Sequence, residues 1–510
     1  MKFGVFSTIV FTTFLSACQT IDSGIKPDDV VDELNAEINF KQKTWNSQAA
    51  ALDFNNDNWL FKLNDERLLE FVDIALKNNF SLVASEARLA AQLESARISA
   101  ANLLPTVGLS VNASRGQSEQ PVPSENGQKN TSNVITSNNF SGNLNVSWEI
   151  DVWNRLSAQT KSSNSQVQAT AADYQAARLS LVASVARAWF NINSIKLQID
   201  IEQNSLLTIK EALEVVEEQY LNGSQSALNV YLGRTEANTQ KARIIELQNT
   251  LNTAIRDFKV LLGEYPDISL SFDANLPSLD SSVPAGLPSE LIMRRPDVLA
   301  DFYTWQSSEY DTDAAERALY PSFSLTASLG NSSDSLSTLD EKSLLLNLMG
   351  GLTQPIFQAG RLKAQVRANE YLAFASFKQY IATLLASFNE VESALASENS
   401  LTERLALLKD VESLANAGFN LALDQYTGGI STYDTLLDAR SRWINAQLQV
   451  VSLQNALLQN RISLNLALGG DFDTTSENIL ERLSLQHIEE QTVSSQTMDS
   501  ESSSKETNDE

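Results

Sequence analysis

Two hydrophobic rhythms alternate along the chain. From Arg155 to Leu221 there is neither Pro nor Gly, and a seam runs Leu181, Val185, Ala188, Ile192, Ile195, Ile199, Glu202, Leu206, Ile209, Leu213, Val216, Tyr220. Its steps alternate between four and three, with Glu202 as the charged exception. Such a heptad seam predicts one long helix with a left-handed supercoil, ~100 Å long at ~1.5 Å per residue. The stretch 361–427 is also free of Pro and nearly free of Gly, with a weaker seam. Shorter stretches at 66–102 and 224–262 predict helices of roughly 55–60 Å. Two of these set end to end match one long helix. Taken alone, the helices would also suit a solvent-exposed coiled-coil rod.

The second rhythm has period two. Val107, Leu109, Val111 and Ala113 alternate with small or polar residues, as do Phe140, Leu144, Val146 and Trp148. Phe323, Leu325, Ala327 and Leu329 do the same, and Leu344–Leu352 follows less cleanly. Alternation gives a strand one apolar and one polar face. A half-buried sheet in a water-soluble domain has this pattern. So does a transmembrane barrel strand of about nine or ten residues, apolar to lipid and polar to the lumen. Here the strands come as two hairpins between very long helices, which favours the barrel. Four strands cannot close a useful barrel, so closure requires further copies of the chain. Phe140, Trp148, Trp153, Tyr320, Phe323 and Phe357 lie at or near the strand ends, where an aromatic girdle belongs. The polar segments 115–139 and 331–342 are expected as loops on the cell exterior.

The two rhythms occur twice. Arg155 and Arg361, Tyr220 and Tyr426, Gly223 and Gly429, and Gly263 and Gly469 share an offset of 206 (361 less 155). Upstream, NLLPTVGLSVNAS from Asn102 matches ALYPSFSLTASLG from Ala318 at an offset of 216 (318 less 102). The shift fits a shorter loop in the second copy. Each half reads helix, Pro, strand, loop, strand, long helix, glycine turn, helix, an internal repeat. Pro105 and Pro321 suit the switch from helix to strand. Asn154 and Gly360 suit a left-handed turn before each long helix. In Arg294-Arg295-Pro296-Asp297, Pro at the first helical position and Asp in the first turn favour a structural helix start over a binding role.

Composition narrows the chemistry. The 510 residues hold 37 Lys and Arg against 63 Asp and Glu, a formal charge of −26. That charge disfavours nucleic-acid phosphates. Cys18 and His487 are the sole cysteine and histidine. Disulfides, zinc sites and histidine-based triads therefore lack their parts. There is no glycine-rich phosphate loop at a strand–helix junction. No enzyme activity, metal or cofactor is expected.

The amino terminus reads as an address. Lys2 precedes an uncharged, mostly apolar stretch, 4–17, of signal-peptide length and too short to span a bilayer. Leu15-Ser16-Ala17-Cys18 resembles the bacterial lipobox, which implies cleavage before Cys18 and its acylation, palmitate included. Gln19 in place of Asp points to the outer membrane. The expected organisation is a signal peptide at 1–17, a lipidated segment at 18–62, a first repeat at 63–263, a linker at 264–288, a second repeat at 289–470 and an acidic, largely disordered tail at 471–510.

Together these features resemble the outer-membrane factor family, the TolC-like and OprM-like efflux ducts, and its NodT-type lipoprotein branch. SWEIDVWNR (147–155) looks like the family's exit from the second strand. GLPSELIMRRPDV (286–298) looks like its link into the second half, and LTQPIFQAGR (352–361) like the matching exit. The resemblance covers essentially 50–470. It implies a mainly α fold with a transmembrane β-barrel: a homotrimer whose twelve-stranded barrel in the outer membrane continues into a twelve-helix barrel across the periplasm. It further implies a passive duct for small molecules, served by a periplasmic adaptor and an inner-membrane pump of the proton-driven RND class. A protein-secretion duct and a non-conducting structural lipoprotein tether are the alternatives.

In that architecture the two glycine turns lie at the membrane-distal tips. Gly223 with Ser226, and Gly429 with Thr432, are the expected adaptor-docking positions. The same residues would serve merely as helix caps. Asp434 and Asp438 share a helix face, where the first half carries Leu228 and Leu232. Three copies would stack two carboxylate rings, the device of a cation-selective constriction. Asp438 matches the family's aperture acid. Asp434 departs from the OprM-like pattern, in which Leu stands there. Arg440 and Arg442 are expected to hold a closed aperture through ion pairs.

Overall fold

The computed structural model describes residues 59–63, 65–121, 132–272, 274–279, 294–338 and 344–470. The expected signal peptide, Cys18 and the acidic tail lie outside the described residues. The elements run α1 (Glu66–Asn78), α2 (Phe80–Ala101), β1 (Thr106–Pro121), β2 (Ser132–Ile150), α3 (Arg155–Leu221), α4 (Ala227–Leu261), α5 (Pro296–Arg317), β3 (Ser322–Ser333), β4 (Leu345–Thr353), α6 (Arg361–Thr427) and α7 (Tyr433–Ala467). Among the described residues no helix is long and apolar enough to cross a membrane.

The helices of the two halves match in length. Both α3 and α6 have 67 residues, α4 and α7 have 35, and α2 and α5 have 22. Left-handed residues precede both long helices, Asn154 with φ 60° and Gly360 with φ 84°. Gly223 and Gly429, at φ 75° and 74°, end them. Past each glycine the chain folds back: Ser224 N donates to Gln219 O at 2.9 Å, and Ile430 N to Gln425 O at 2.8 Å. A glycine tolerates this left-handed C-terminal turn without a Cβ penalty.

One expected helix is two. The stretch 66–102 breaks at Asn79, whose ψ of 115° is extended. Its Oδ1 accepts from Leu82 N at 3.0 Å and caps α2. Its Nδ2 donates to Leu261 O at 2.9 Å, so α4 ends where α2 begins. The second half repeats this junction with another residue: Arg295 Nη1 donates to Ala467 O at 3.2 Å. The expected end-to-end stacking of short helices thus has a specific joint in each half. Arg295 also binds Asp297 at 2.6 Å and Glu390 at 2.6 Å, which makes the Arg-Arg-Pro-Asp stretch a structural helix start.

α3 packs against α1, α2, α4, α5 and α7, and α6 against α5 and α7. Seam residues Val185, Ile192, Ile195, Ile199, Ile209 and Val216 are buried. Around 182–192 burial spreads beyond the seam to Val182, Ala186, Trp189 and Phe190. There α1, the end of α4 and the end of α7 converge on α3 through Leu68, Val72, Phe258 and Ile462. Each large side chain fully buried here stabilises the fold by about 1.5–3 kcal/mol. A two-helix rod would not bury so many sides of one helix. Trp59, Leu60 and Leu63 join this core, so the end of the segment expected at 18–62 already belongs to the first half. Leu270, Phe272, Leu276 and Leu279 of the expected linker also pack on it.

The charged exception in the seam is a buried ion. Glu202 is 1 % exposed and pairs with Arg243 of α4 at 2.6 Å. Gln240 of α4 also donates to its carboxylate. In the second half Glu398 of α6 pairs with Arg461 and accepts from Asn460 at 2.8 Å, both on α7.

The four strands form one antiparallel sheet in the order β1-β2-β3-β4. Register puts Leu109, Leu144, Leu329 and Leu346 in one row, and Val107, Val146, Ala327 and Leu348 in the next. The other face carries Gly108, Asn145, Ser328 and Asn347, then Ser110, Asn143 and Gly330. Leu345 and Met349 interrupt it at β4.

Three expectations about the strands need correction. The first hairpin is longer than nine or ten residues per strand: β1 has 16 and β2 has 19. The segment 115–139 is therefore mostly strand, and β3 extends through Ser333 into 331–342. Beyond the apolar band polar residues dominate both faces, and Val134 and Ile135 stand next to each other, so alternation fades although backbone pairing continues. Phe140 accordingly sits inside β2 and not at its end.

Candidate channel lining and distal aperture

Between the ends of the strands the polar face of the sheet is uncharged. No Asp, Glu, Lys or Arg occurs in Thr106–Ser114, Ser132–Trp148, Ser322–Ser333 or Leu345–Thr353. Charge appears only toward the ends: Arg115 and Glu119 continue the aliphatic rows of β1, and Glu149 closes the polar face at the foot of β2. The face therefore offers small hydroxyl and amide groups to water, while the opposite face offers aliphatic side chains. Among the described residues both outer strands, β1 and β4, have an unpaired edge. β4 is exposed along its whole length.

The two glycine turns lie at the other end of the long helices. Gly223 and Gly429 have open space where a Cβ would stand. Ser226 caps α4, its Oγ accepting from Leu228 N at 3.2 Å. Thr432 caps α7, its Oγ1 accepting from Thr435 N at 3.3 Å. The turns are thus built alike.

The faces that follow differ. On α7, Asp434 and Asp438 are exposed, while Tyr433, Leu436 and Arg440 are buried on the other side. Asp438 pairs with Arg442 one turn on, at 2.9 Å, with both side chains largely in solvent. Such an exposed pair contributes about 0.3–0.5 kcal/mol. Asp434 has no ion-pair partner among the described residues. On α4 the corresponding Leu228 is 61 % exposed.

Arg440 is set apart from the acids. It is 5 % exposed and donates to the carbonyl of Ser205 on α3 at 3.1 Å and to the Ser205 hydroxyl. It also faces Glu236 of α4 at 3.6 Å. Burial lowers its pKa, partly offset by Glu236 and by Tyr433. Arg440 therefore ties the start of α7 to both helices of the first hairpin. Sequence reasoning named it, but not Ser205 or Glu236, which stand far away in the chain. The hint available was Arg234 at the 206-residue offset. In the first half that residue stays on the surface, bonded to Glu217 at 2.8 Å.

A small apolar cluster surrounds this tie: Val216, Val230, Phe419, Ala422, Tyr433 and Leu436. Within it the hydroxyls of Tyr426 and Tyr433 and the indole N–H of Trp443 are buried without a hydrogen-bond partner among the described residues. Burial raises the pKa of both phenols. Gly233 of α4 admits Tyr433, since a Cβ there would lie 3.0 Å from its hydroxyl. Among the described residues no His, Cys, Asp and Glu group suited to a metal ion occurs.

Residues 71–264 and 287–470 match the family model described as outer membrane efflux protein. The chain is 27 % identical over 424 residues to the probable efflux pump outer membrane protein SepC of Pseudomonas putida, covering 83 % of this chain and 87 % of that one. It is 29 % identical over 340 residues to the cation efflux system protein CusC of Escherichia coli K12, covering 66 % and 74 %. The crystal structure of the Campylobacter jejuni CmeC outer membrane channel superposes with a TM-score of 0.76 at 24 % identity, covering 86 % and 92 %.

Proposed function

The chain belongs to the outer membrane efflux protein family, and on that premise we propose that it is the passive outer-membrane duct of a tripartite efflux system. Efflux at the outer membrane is common to the family. The finer reading is a homotrimer with a twelve-stranded β-barrel and a twelve-helix periplasmic barrel, exporting small molecules. One observation carries it: the sheet has an aliphatic face, an uncharged polar face and two unpaired edges. A lone sheet of this kind would leave both edges and the aliphatic face unsatisfied. Three copies joined edge to edge satisfy both, with apolar rows toward lipid and polar rows around water.

The remaining roles follow the same reading. Cys18, at the lipobox-like stretch, anchors the chain by acylation. The tips at Gly223, Ser226, Gly429 and Thr432 meet a periplasmic adaptor, which links the duct to an inner-membrane pump of the proton-driven RND class. Asp434 and Asp438 line the distal aperture, with Arg442 moderating Asp438. Arg440 keeps the aperture segment on the first hairpin through Ser205 and Glu236. The chain has no catalytic role here, and energy comes from the pump.

The test is single-channel conductance of the purified protein in a planar bilayer, with chemical cross-linking to fix the oligomer. A cross-linked trimer giving discrete conductance steps supports the duct. A folded trimer that never conducts, alone or with its adaptor, sinks the duct and leaves the tether.

A further inference from the structure

At the foot of the sheet, where β2, β3 and β4 meet the helices, lies a cavity of about 290 Å³. That is near the small end of ligand pockets, about 300 Å³. Glu149, Ser322 and Thr353 line it and belong to the polar face of the sheet. Trp153 and Tyr320 form an aromatic wall, their rings 5.3 Å apart. Arg155, Arg317 and Arg361 also line it.

Two of the three guanidiniums are neutralised. Arg155 pairs with Glu149 at 2.7 Å, and Arg317 with Asp313 at 3.0 Å. The second acid in the lining, Asp151, accepts from Leu156 N and Ser157 N and is committed to the start of α3. Arg361 differs. Its one hydrogen-bond partner is a neutral amide, Gln358 Oε1, at 2.5 Å, and no acid lies within ion-pair reach among the described residues. The internal repeat explains why. Arg361 corresponds to Arg155 at the 206-residue offset, but Pro355 stands where Glu149 stands in the first half. The second copy has kept the cation and lost its counter-ion. Among the described residues Asp151 is the one acid in the lining without a cation partner; it lies beyond ion-pair reach of Arg361, and the rows of the polar face above carry no charge.

We propose that this cavity binds an organic anion with a flat apolar body, an aromatic carboxylate or sulfonate. Arg361 takes the anionic group, because a guanidinium presents paired N–H donors that match two oxygens. Trp153 and Tyr320 take the ring by stacking or edge contact. The proposal rests on the reading of the sheet as a barrel wall, which puts the polar face and this cavity on the lumen. It assigns the duct a preferred cargo class where cargo enters the outer membrane.

Calorimetric titration of the purified full chain with naphthoate, and with neutral naphthamide as the matched control, tests the site. Naphthoate is expected to bind wild type, and Arg361→Gln to weaken it about tenfold or more, the scale of a lost charge-assisted contact. Naphthamide is expected to bind weakly to both. No naphthoate binding, equal affinity for acid and amide, or an unaltered Arg361→Gln overturns the proposal. Naphthoate added to the wild-type channel in a bilayer then tests its placement. Block that Arg361→Gln relieves puts the site in the lumen. Binding without block contradicts the lumen placement. A channel that never conducts counts against the duct, while calorimetry still decides the site.

Discussion

Asn79 Nδ2 donates to the carbonyl oxygen of Leu261 at 2.9 Å, and Arg295 Nη1 makes the equivalent bond to Ala467 at 3.2 Å. One short polar side chain and one long cation hold the same joint in the two halves. Asn79→Ala removes both a helix cap and the partner of a helix-end carbonyl, so a loss of about 1–2 kcal/mol is expected. Arg295→Ala also strands Asp297 and Glu390. Those acids are 41 % and 54 % exposed, so water softens the loss. About 2–3 kcal/mol is expected. Denaturant unfolding of the two variants checks the ranking, and an Asn79→Ala loss equal to or above that of Arg295→Ala contradicts it.

The glycines that end the helices should not respond alike. A Cβ on Gly263 would lie 2.4 Å from the carbonyl oxygen of Asn78, with φ at 75°. Backbone cannot yield there without separating α4 from α1 and α2. Gly263→Ala is expected to abolish the fold, and with it the proposed trimer. Gly223 has a φ of 75° too, but open space around it. Gly223→Ala should cost only the left-handed backbone, about 1–2 kcal/mol, and leave assembly intact. Gel mobility of the unheated oligomer separates the cases, and equal tolerance of both substitutions would refute the steric account.

Much of this fold was legible because its punctuation is repeated. The offsets that pair Arg155 with Arg361 and Gly223 with Gly429 locate helix starts and turns that the structure places at the same residues. The break at Asn79 was not legible. Its Oδ1 caps α2 locally, but the joint also needs its Nδ2 to reach Leu261, 182 residues further on, and local periodicity carries no trace of that contact. The outer ends of β1 and β2 were missed because they are mostly polar on both faces, and Val134 and Ile135 are adjacent, which leaves no alternation to read. At the distal tip, the exposed face with Asp434 and Asp438 followed from helical spacing. The inward turn of Arg440 did not, since it depends on Ser205 and Glu236 from other helices.

The joint at Arg295 also sets an acid limit. Burial pushes the Asp297 carboxyl up, but the Arg295 bonds outweigh it and hold its pKa below the ordinary 3.8. Above pH 3.8 this stabilisation is fully present. As pH falls from there toward the lowered folded value, the unfolded chain takes up a proton that the folded one refuses, and stability declines. Asp297→Asn should be less stable than wild type at neutral pH and should lose less on acidification in this window. Unfolding midpoints at pH 6 and pH 3 test this, and parallel declines in the two proteins would remove Asp297 from the account.

The distal acids should contribute unequally to selectivity. Asp438 shares its field with Arg442 at 2.9 Å, whereas Asp434 has no ion-pair partner among the described residues. If both line the aperture, Asp434 presents the less compensated charge. Asp434→Asn is then expected to reduce cation selectivity more than Asp438→Asn, and Arg442→Ala to increase it by freeing Asp438. Ring charges act over a Debye length of about 8–10 Å at moderate salt, so the contrast should be sharper in dilute than in concentrated KCl. Reversal potentials under a KCl gradient read all three variants directly. An Arg442→Ala channel with unchanged selectivity at low salt, beside an equally silent Asp434→Asn, would place the selective constriction away from the start of α7.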